Sequence, residues 1–291
     1  MTENKASFLD YLKAWPLYLL PQHLISRLVY RLTRWRTRLK DPVVRWFIRR
    51  YQVEMSEAMQ PNPAAYQSFN EFFTRALKHG ARPVVKRLNA LACPADSAVS
   101  QFGRIQEGRI IQAKGHDYSV LELLGGDEQR AQAFHNGHFI NLYLSPRDYH
   151  RIHAPWDVRL LETVYIPGRL FSVAPHTTRA IPRLFARNER LVCLFESSLG
   201  PLAVVLVGAI NVGSIETVWG GEETPRKPRA LSVKNHRTQR ISLRKGAELG
   251  RFNLGSTVIL LLPDVPFHWA HSLENGQKLR MGAEIGLLDK H

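Results

Sequence analysis

From about residue 90 onward the chain breaks into short runs of β-branched and leucine side chains separated by glycines and prolines, and this texture limits the possible folds most. The runs lie at 99–105, 109–113, 139–144, 160–166, 191–195, 202–209, 212–218 and 259–262. Strand-length runs bounded by turn residues, without a regular helical pattern between them, predict a mostly antiparallel β unit rather than alternating βα units. Small helices at 121–124 and 128–134 interrupt the pattern. Residues 222–240, rich in Arg, Lys and Pro, read as a mobile exposed loop. Val258-Ile259-Leu260-Leu261-Leu262 is apolar throughout and reads as a buried strand. Gly255 and Ser256 stand at its head, where an isolated Gly marks a bulge or a close backbone approach.

The first 50 residues have a different character. Phe8, Leu9, Tyr11, Leu12 and Trp15 precede a segment broken by Pro16 and Pro21. Leu24, Ile25, Leu28, Val29, Leu32 and Trp35 then recur at spacings of three and four, the stripe of an amphipathic helix. Asp41-Pro42 reads as a cap followed by a first-turn proline. Ser68-Phe69-Asn70-Glu71 reads as a capping box opening a helix that ends near Gly80, with Phe72 and Phe73 in the core. The fold class is α+β, with N-terminal amphipathic helices in residues 1–60 and a mostly antiparallel β-rich unit in 61–291. A chain of 291 residues is long enough for a sizeable core.

Forty basic against 25 acidic residues give a formal charge of +15, which favours a polyanionic partner. Within residues 22–50, Arg27, Arg31, Arg34, Arg36, Arg38, Lys40, Arg45, Arg49 and Arg50 face one acid, Asp41, for a net +8. Tryptophan and arginine beside an apolar stripe suit a helix lying in an anionic membrane interface. The same stripe suits a helix packed on its own domain with a solvated basic face. No nucleic-acid-binding motif accompanies the charge, so no nucleic-acid partner is expected. No apolar run approaches the roughly 20 residues of a spanning helix, and no cleavable signal pattern opens the chain. Cys93 and Cys193 lie far apart in apolar surroundings and read as buried thiols in a reducing compartment.

A Gly-Ser peptide held in a bend has its own chemistry. The Ser256 hydroxyl can reach the Gly255 carbonyl carbon, which no Cβ shields. Attack turns the amide into an ester, and elimination across Ser256 then breaks the chain and leaves a dehydroalanine that hydrolyses to a pyruvoyl group. The bland alternative is a bulged strand with a polar rim. Asp96, in the turn-like Pro94-Ala95-Asp96-Ser97, reads as a local hydrogen-bonder. His150 and His153 stand among Arg147, Asp148 and Arg151; no further ligand cluster supports a metal, so no metal is expected. Each arginine can meet an anionic substrate or make a structural salt bridge.

Leu254-Gly255-Ser256-Thr257 resembles the self-cleavage site of the phosphatidylserine decarboxylase proenzymes. It is joined in order by Pro94-Ala95-Asp96, by Ala113-Lys114-Gly115-His116 and by the stretch from Tyr143 to His153. The blocks 185–190 and 213–219 follow. The resemblance runs from roughly residue 45 to the C-terminus; the first 40 residues match only in character and the tail after Leu262 matches poorly. Ser97 stands where the pattern has glycine.

The resemblance implies a self-processing lyase that converts phosphatidylserine to phosphatidylethanolamine. Asp96, His153 and Ser256 would form the cleavage relay: Asp96 orients His153, His153 deprotonates Ser256, and Ser256 attacks Gly255. The products, residues 1–255 and 256–291, would stay associated. The cofactor would be a covalent pyruvoyl group made from Ser256, which takes the substrate amine as a Schiff base. His150 would position the substrate or assist decarboxylation. The enzyme would sit peripherally on the cytoplasmic side of the cell membrane, in contact with anionic phospholipid, and a homodimer fits the analogy. Two rival readings remain: a pyruvoyl decarboxylase of a soluble amino acid, and a non-catalytic basic module that binds anionic lipid or nucleic acid.

Overall fold

The computed structural model describes residues 6–113, 115–210, 214–224 and 229–289. Of the segments singled out above, Lys114, Val212, Gly213 and residues 225–228 lie outside this part.

All seven residues of the strand Ser256–Leu262 are buried, and it runs through the middle of a nine-stranded sheet. It pairs with Gly200–Val207 on one side and His138–Leu144 on the other. The sheet continues through Arg190–Ser197 and Val158–Ile166 to the edge strand Ser232–Asn235. In the other direction it continues through Ser97–Arg104 to Lys278–Leu279, and Ser242–Leu243 adds a short pairing to Val158–Ile166. All these pairings are antiparallel. An unbroken apolar run is what a strand needs when both its faces are covered. The ladder from Ser256↔Leu144 to Leu262↔His138 is regular, so the bulge that Gly255 suggested does not occur.

A second sheet of four strands orders Gly221–Glu222, Ile215–Thr217, Glu248–Phe252 and Arg151–His153. The chain leaves this sheet at Phe252 and joins the larger one at Ser256, so the Gly255–Ser256 peptide lies at the crossover between sheets. The strands that flank it pair with the strands that flank residues 145–150. Ser256 faces Leu144 at one end of that loop, and Phe252 N donates to the His150 carbonyl at 3.0 Å at the other. Two ladders thereby hold residues 145–150 opposite residues 253–255.

The N-terminal helices are α1 (Phe8–Ala14), α2 (Pro16–Leu19), α3 (Gln22–Arg34) and α4 (Lys40–Tyr51). A capping box of Ser7 and Asp10 opens α1, and Asp10 also pairs with Arg179 of the body at 2.9 Å. Helix α3 is turned inside out. Leu24, Leu28, Leu32 and Trp35 are 61, 57, 54 and 60% exposed, while Gln22 and Ser26 are buried. Helix α4 begins one residue before the expected cap. Asp41 therefore lies in its first turn, where an acid suits the helix dipole, and pairs with Lys40 rather than capping.

Helix α5 (Phe69–Phe73) is shorter than the sequence pattern predicts. Ser68 accepts from Glu71 N at 3.2 Å, but the Glu71 carboxylate takes the Gln67 amide instead of completing the box. The chain beyond α5 runs beside residues 57–59: Met59 N donates to Ala76 O and Lys78 N to Glu57 O, both at 2.9 Å, which ends the helix well before Gly80. Phe72 and Phe73 are buried with Val44, Phe47, Val53 and Tyr66 in a small second core, and Leu254 packs against it. The expected loop 222–240 is also more ordered than its composition implies. Residues 232–235 form the sheet's edge strand, and buried His236 bonds to Thr163 at 2.9 Å.

The block 185–190 turns out to be a structural latch. Asn188 receives the Phe171 amide at 3.0 Å and donates to the carbonyls of Phe171 and Gly208 at 2.8 and 2.9 Å, all buried. Arg190 donates to the carbonyls of Leu123 and Asn188 at 2.8 and 2.9 Å. Asn188→Ala strands three buried backbone groups and should lower unfolding stability by about 2–4 kcal/mol, read by urea denaturation of the purified protein.

Candidate active site

Ser256 is completely buried, and its hydroxyl has no hydrogen-bond partner among the described residues. An orphaned buried hydroxyl costs free energy, and such atoms are uncommon in native interiors. Steric need does not explain the glycine beside it. A Cβ on Gly255 would meet the Leu144 carbonyl at 3.6 Å, an ordinary contact. The preceding Asn253 is tied down firmly: its amide donates to Ser214 O at 3.0 Å and its side chain to Glu216 at 2.9 Å and to Ser214 Oγ. Thus Asn253, two residues before Gly255, is anchored while the Ser256 hydroxyl oxygen has no partner among the described residues.

The two histidines are held alike at one nitrogen and differently at the other. His150 Nδ1 donates to the Asp148 carbonyl at 2.8 Å, since a carbonyl can only accept. Its Nε2 therefore carries a lone pair, and that atom is buried without a partner. The ring lies 4.2 Å from that of Phe73, centre to centre. Burial pushes its pKa down to about 3, which keeps the imidazole neutral. His153 Nδ1 donates to Gly246 O at 2.8 Å, and its Nε2 accepts from the Tyr149 hydroxyl at 3.1 Å. Burial lowers this histidine's pKa as well.

Asp96 stands apart from this pair in its hydrogen bonding. Its carboxylate takes two bonds from Arg82 Nε, at 2.8 and 3.0 Å, one from Arg82 Nη2 at 2.5 Å and one from Met281 N at 2.8 Å. The expected contact to His153 is therefore replaced by an arginine fork, and a backbone carbonyl fixes the His153 tautomer. The two segments still adjoin, because His153 N donates to Pro94 O at 2.8 Å. The field of Asp96 reaches the imidazole and raises its proton affinity, against the larger effect of burial. Arg151 makes the structural option of its two readings, pairing with Glu248 at 2.9 Å and donating to Thr74 O.

Tyr143 lines two cavities next to these residues. One, of about 170 Å³, is mostly apolar and touches Gly255, Leu254, Phe47, Phe73 and Val173. The other, of about 450 Å³, has many charged residues in its lining and reaches Asp96, Tyr149, Asp148 and Arg75. Sequence reasoning missed Arg82, Gly246, Tyr149 and Asn253 as site residues. Tyr149 and Asn253 sit inside or beside the quoted motifs and were within reach of that reasoning. Arg82 and Gly246 come from distant loops and carried no local signal.

The orphaned Ser256 hydroxyl beside an unshielded peptide, at the edge of a cavity, fits a group made from this residue. A family model described as Phosphatidylserine decarboxylase matches residues 69–287, and a second, described as PSD, matches residues 12–52. Proteins named phosphatidylserine decarboxylase proenzyme from Pseudomonas fluorescens and Pseudomonas entomophila are 54% and 55% identical over 273 residues, 93% of this chain and 95% of each relative. One of the same name from Bordetella pertussis is 52% identical over 273 residues, 93% of this chain and 92% of its own. The similarity thus extends beyond the motif blocks, into the N-terminal helices and past Leu262 into the tail. The chain belongs to the phosphatidylserine decarboxylase family.

Proposed function

We propose that this phosphatidylserine decarboxylase makes its own electron sink by cutting the Gly255–Ser256 peptide, and that it works as a peripheral protein on the cytoplasmic face of the cell membrane. The overall reaction removes the headgroup carboxylate of phosphatidylserine as carbon dioxide and leaves phosphatidylethanolamine for phospholipid synthesis. The observation that carries the self-cleavage reading is the buried, unpartnered Ser256 hydroxyl at the crossover between two sheets.

In the cleavage step Ser256 Oγ attacks the Gly255 carbonyl carbon and its proton passes to a base. His153 is our candidate, because its Nδ1–H is pinned by Gly246 O and its basic nitrogen is Nε2. Tyr149 must give up its hydrogen bond to that nitrogen for the base to act. Asp96 supports His153 through its field rather than by direct contact, moderated by its fork with Arg82. A pyruvoyl group at residue 256 would supply a ketone carbonyl that accepts the electron pair released with carbon dioxide. His150 is suited to accept a hydrogen bond from the substrate amine, since its free nitrogen carries a lone pair and no proton. The anchored Asn253 keeps the cut end of 1–255 in place, and the ladders of Ser256–Leu262 with His138–Leu144 and Gly200–Val207 keep residues 256–291 on residues 1–255.

Membrane attachment is supported by the outward apolar face of α3 and the arginines around it. No helix among the described residues is long and apolar enough to cross a membrane. Basic residues near an anionic surface contribute about 1 kcal/mol each. The lipid headgroup then arrives beside α4, whose Phe47 and Tyr51 wall the small cavity at Gly255.

Intact mass under denaturing conditions tests the cleavage. The native protein should give two chains split after Gly255, the smaller lighter by one ammonia than hydrolysis alone would leave. Ser256→Ala should stay whole and release no carbon dioxide; a native chain that stays whole in the presence of phosphatidylserine vesicles would overturn the reading. Changing Trp15, Leu28 and Trp35 together to Ser should weaken sedimentation with anionic vesicles at least about tenfold and leave self-cleavage intact.

His150 also makes stability depend on pH. The unfolded chain binds a proton there near pH 6.5 and the folded chain only near about 3, so the stabilising neutral form is intact above pH 6.5. Stability should fall as pH drops through that window. His150→Gln should flatten the fall between pH 6.5 and 5 in parallel urea titrations.

A further inference from the structure

Arg75 is 4% exposed, and among the described residues no carboxylate lies within ion-pair distance of it. Its Nη2 donates to the Arg147 carbonyl at 3.2 Å, and its Nε is buried without a partner. The side chain lines the cavity of about 450 Å³ with the many charged residues. A buried guanidinium cannot shed its proton at neutral pH, so its charge calls for a counter-ion. The cavity's own acids are largely engaged. Asp96 is held by Arg82, Glu57 by Arg82 and Arg280, and Asp148 accepts from Ser145 N and Oγ at 2.7 Å. Glu54 accepts the Ser56 amide at the exposed rim. Lys278 and the half-exposed Arg147 add positive charge on the same wall.

The cavity stands close to the chemistry. Arg75 follows two residues after Phe73, whose ring packs at a tilt against His150, and its donor bond goes into the 145–150 loop. Tyr143 walls both this cavity and the one at Gly255, and its backbone pairs with Thr257.

We propose that Arg75 is the floor of an anion site that takes the phosphodiester of the substrate headgroup, with Arg147 and Lys278 at its rim. This rests on the decarboxylase activity. The substrate has two anionic groups, and the phosphodiester is the better match. It keeps its charge from binding to product release, so holding it is uniform binding. The carboxylate loses its charge as carbon dioxide departs, so an arginine on it would stabilise the ground state and slow the reaction.

The test compares wild type with Arg75→Met and Arg75→Lys, after intact mass has shown each to be self-cleaved. With phosphatidylserine in mixed micelles, Arg75→Met should raise KM about tenfold or more and leave kcat within about threefold. Arg75→Lys should fall between, because lysine keeps the charge and loses the fork. If Arg75→Met does not process, Arg75→Lys is read by the same KM and kcat split. Glycerophosphocholine, a soluble phosphodiester without a reactive amine, should compete with substrate in wild type and lose that effect in the variants. Inorganic phosphate tests whether any phosphate suffices, and L-serine tests the carboxylate. An unchanged KM in the processed variants would overturn the assignment. So would serine inhibition that disappears while phosphodiester inhibition persists, or inhibition by inorganic phosphate alone. In each case turnover by the cleaved wild type keeps the decarboxylase reading separate from the fate of Arg75.

Discussion

The pairing of the two strands that flank residues 145–150 with the two strands that flank residues 253–255 is the constraint from which the site follows. Residues 138–144 and 151–153 bracket a six-residue loop, and 256–262 and 248–252 bracket the three residues before Ser256. Because both brackets are hydrogen-bonded ladders, the loop and the crossover have to face each other. The segment ending in His150 and the segment ending in Gly255 lie opposite each other for topological reasons before any side chain is considered. The larger sheet then buries Ser256–Leu262 on both faces, which makes the crossover rigid on its downstream side. Upstream, Asn253 and Ser214 do the same work through side-chain bonds. A peptide fixed at both ends and bent in the middle keeps a serine hydroxyl near its own upstream carbonyl, the proximity that makes intramolecular attack fast.

Much of this was legible in the residues. The unbroken apolar run after Ser256 announced a strand covered on both faces, and the short β runs announced an antiparallel sheet. Helical content at the N-terminus followed from the spacing of Leu24, Leu28 and Leu32. What local pattern could not give was partnership across long separations. Asp96 and His153 look like two members of a hydrogen-bonded relay when only their types are known. Arg82 competes for the carboxylate from 14 residues away, and Gly246 supplies an acceptor for the imidazole from 93 residues away. Neither competitor has a signature, because an arginine in a loop and a backbone carbonyl occur everywhere. The shortened α5 has a similar cause: the chain after Phe73 found backbone partners in residues 57–59, and tertiary bonding outweighed helix propensity.

Burial sets the electrostatics of the site. Both histidines lose proton affinity to desolvation, and in each case a backbone carbonyl fixes which nitrogen keeps its hydrogen. The burial of Arg75, which has no carboxylate within ion-pair distance among the described residues, strengthens its attraction for an anion that enters the cavity beside it. Neutral imidazoles beside a fixed cation suit a site that must admit an anionic headgroup and still offer lone pairs to an amine.

Helix α3 shows why its apolar face points outward. Hydrophobic contact is non-directional, and by itself it would roll Leu24, Leu28 and Leu32 onto the body of the protein. Directional bonds on the opposite face prevent that. Gln22 donates to Leu17 O at 2.6 Å and accepts from Leu170 N at 2.8 Å, Tyr30 donates to Glu222 at 2.8 Å, and Arg34 donates to Ser214 and Glu222 at 2.8 Å each. These contacts recur along one face of the helix, so together they fix its rotation. The last of them reaches Ser214, which in turn holds Asn253, two residues before the cut. A helix whose polar face is satisfied by the body and whose apolar face is left in the open presents an apolar stripe of the kind that marks an interaction surface. The polar anchoring and the outward stripe are therefore one arrangement, the one that the proposed lipid attachment would use.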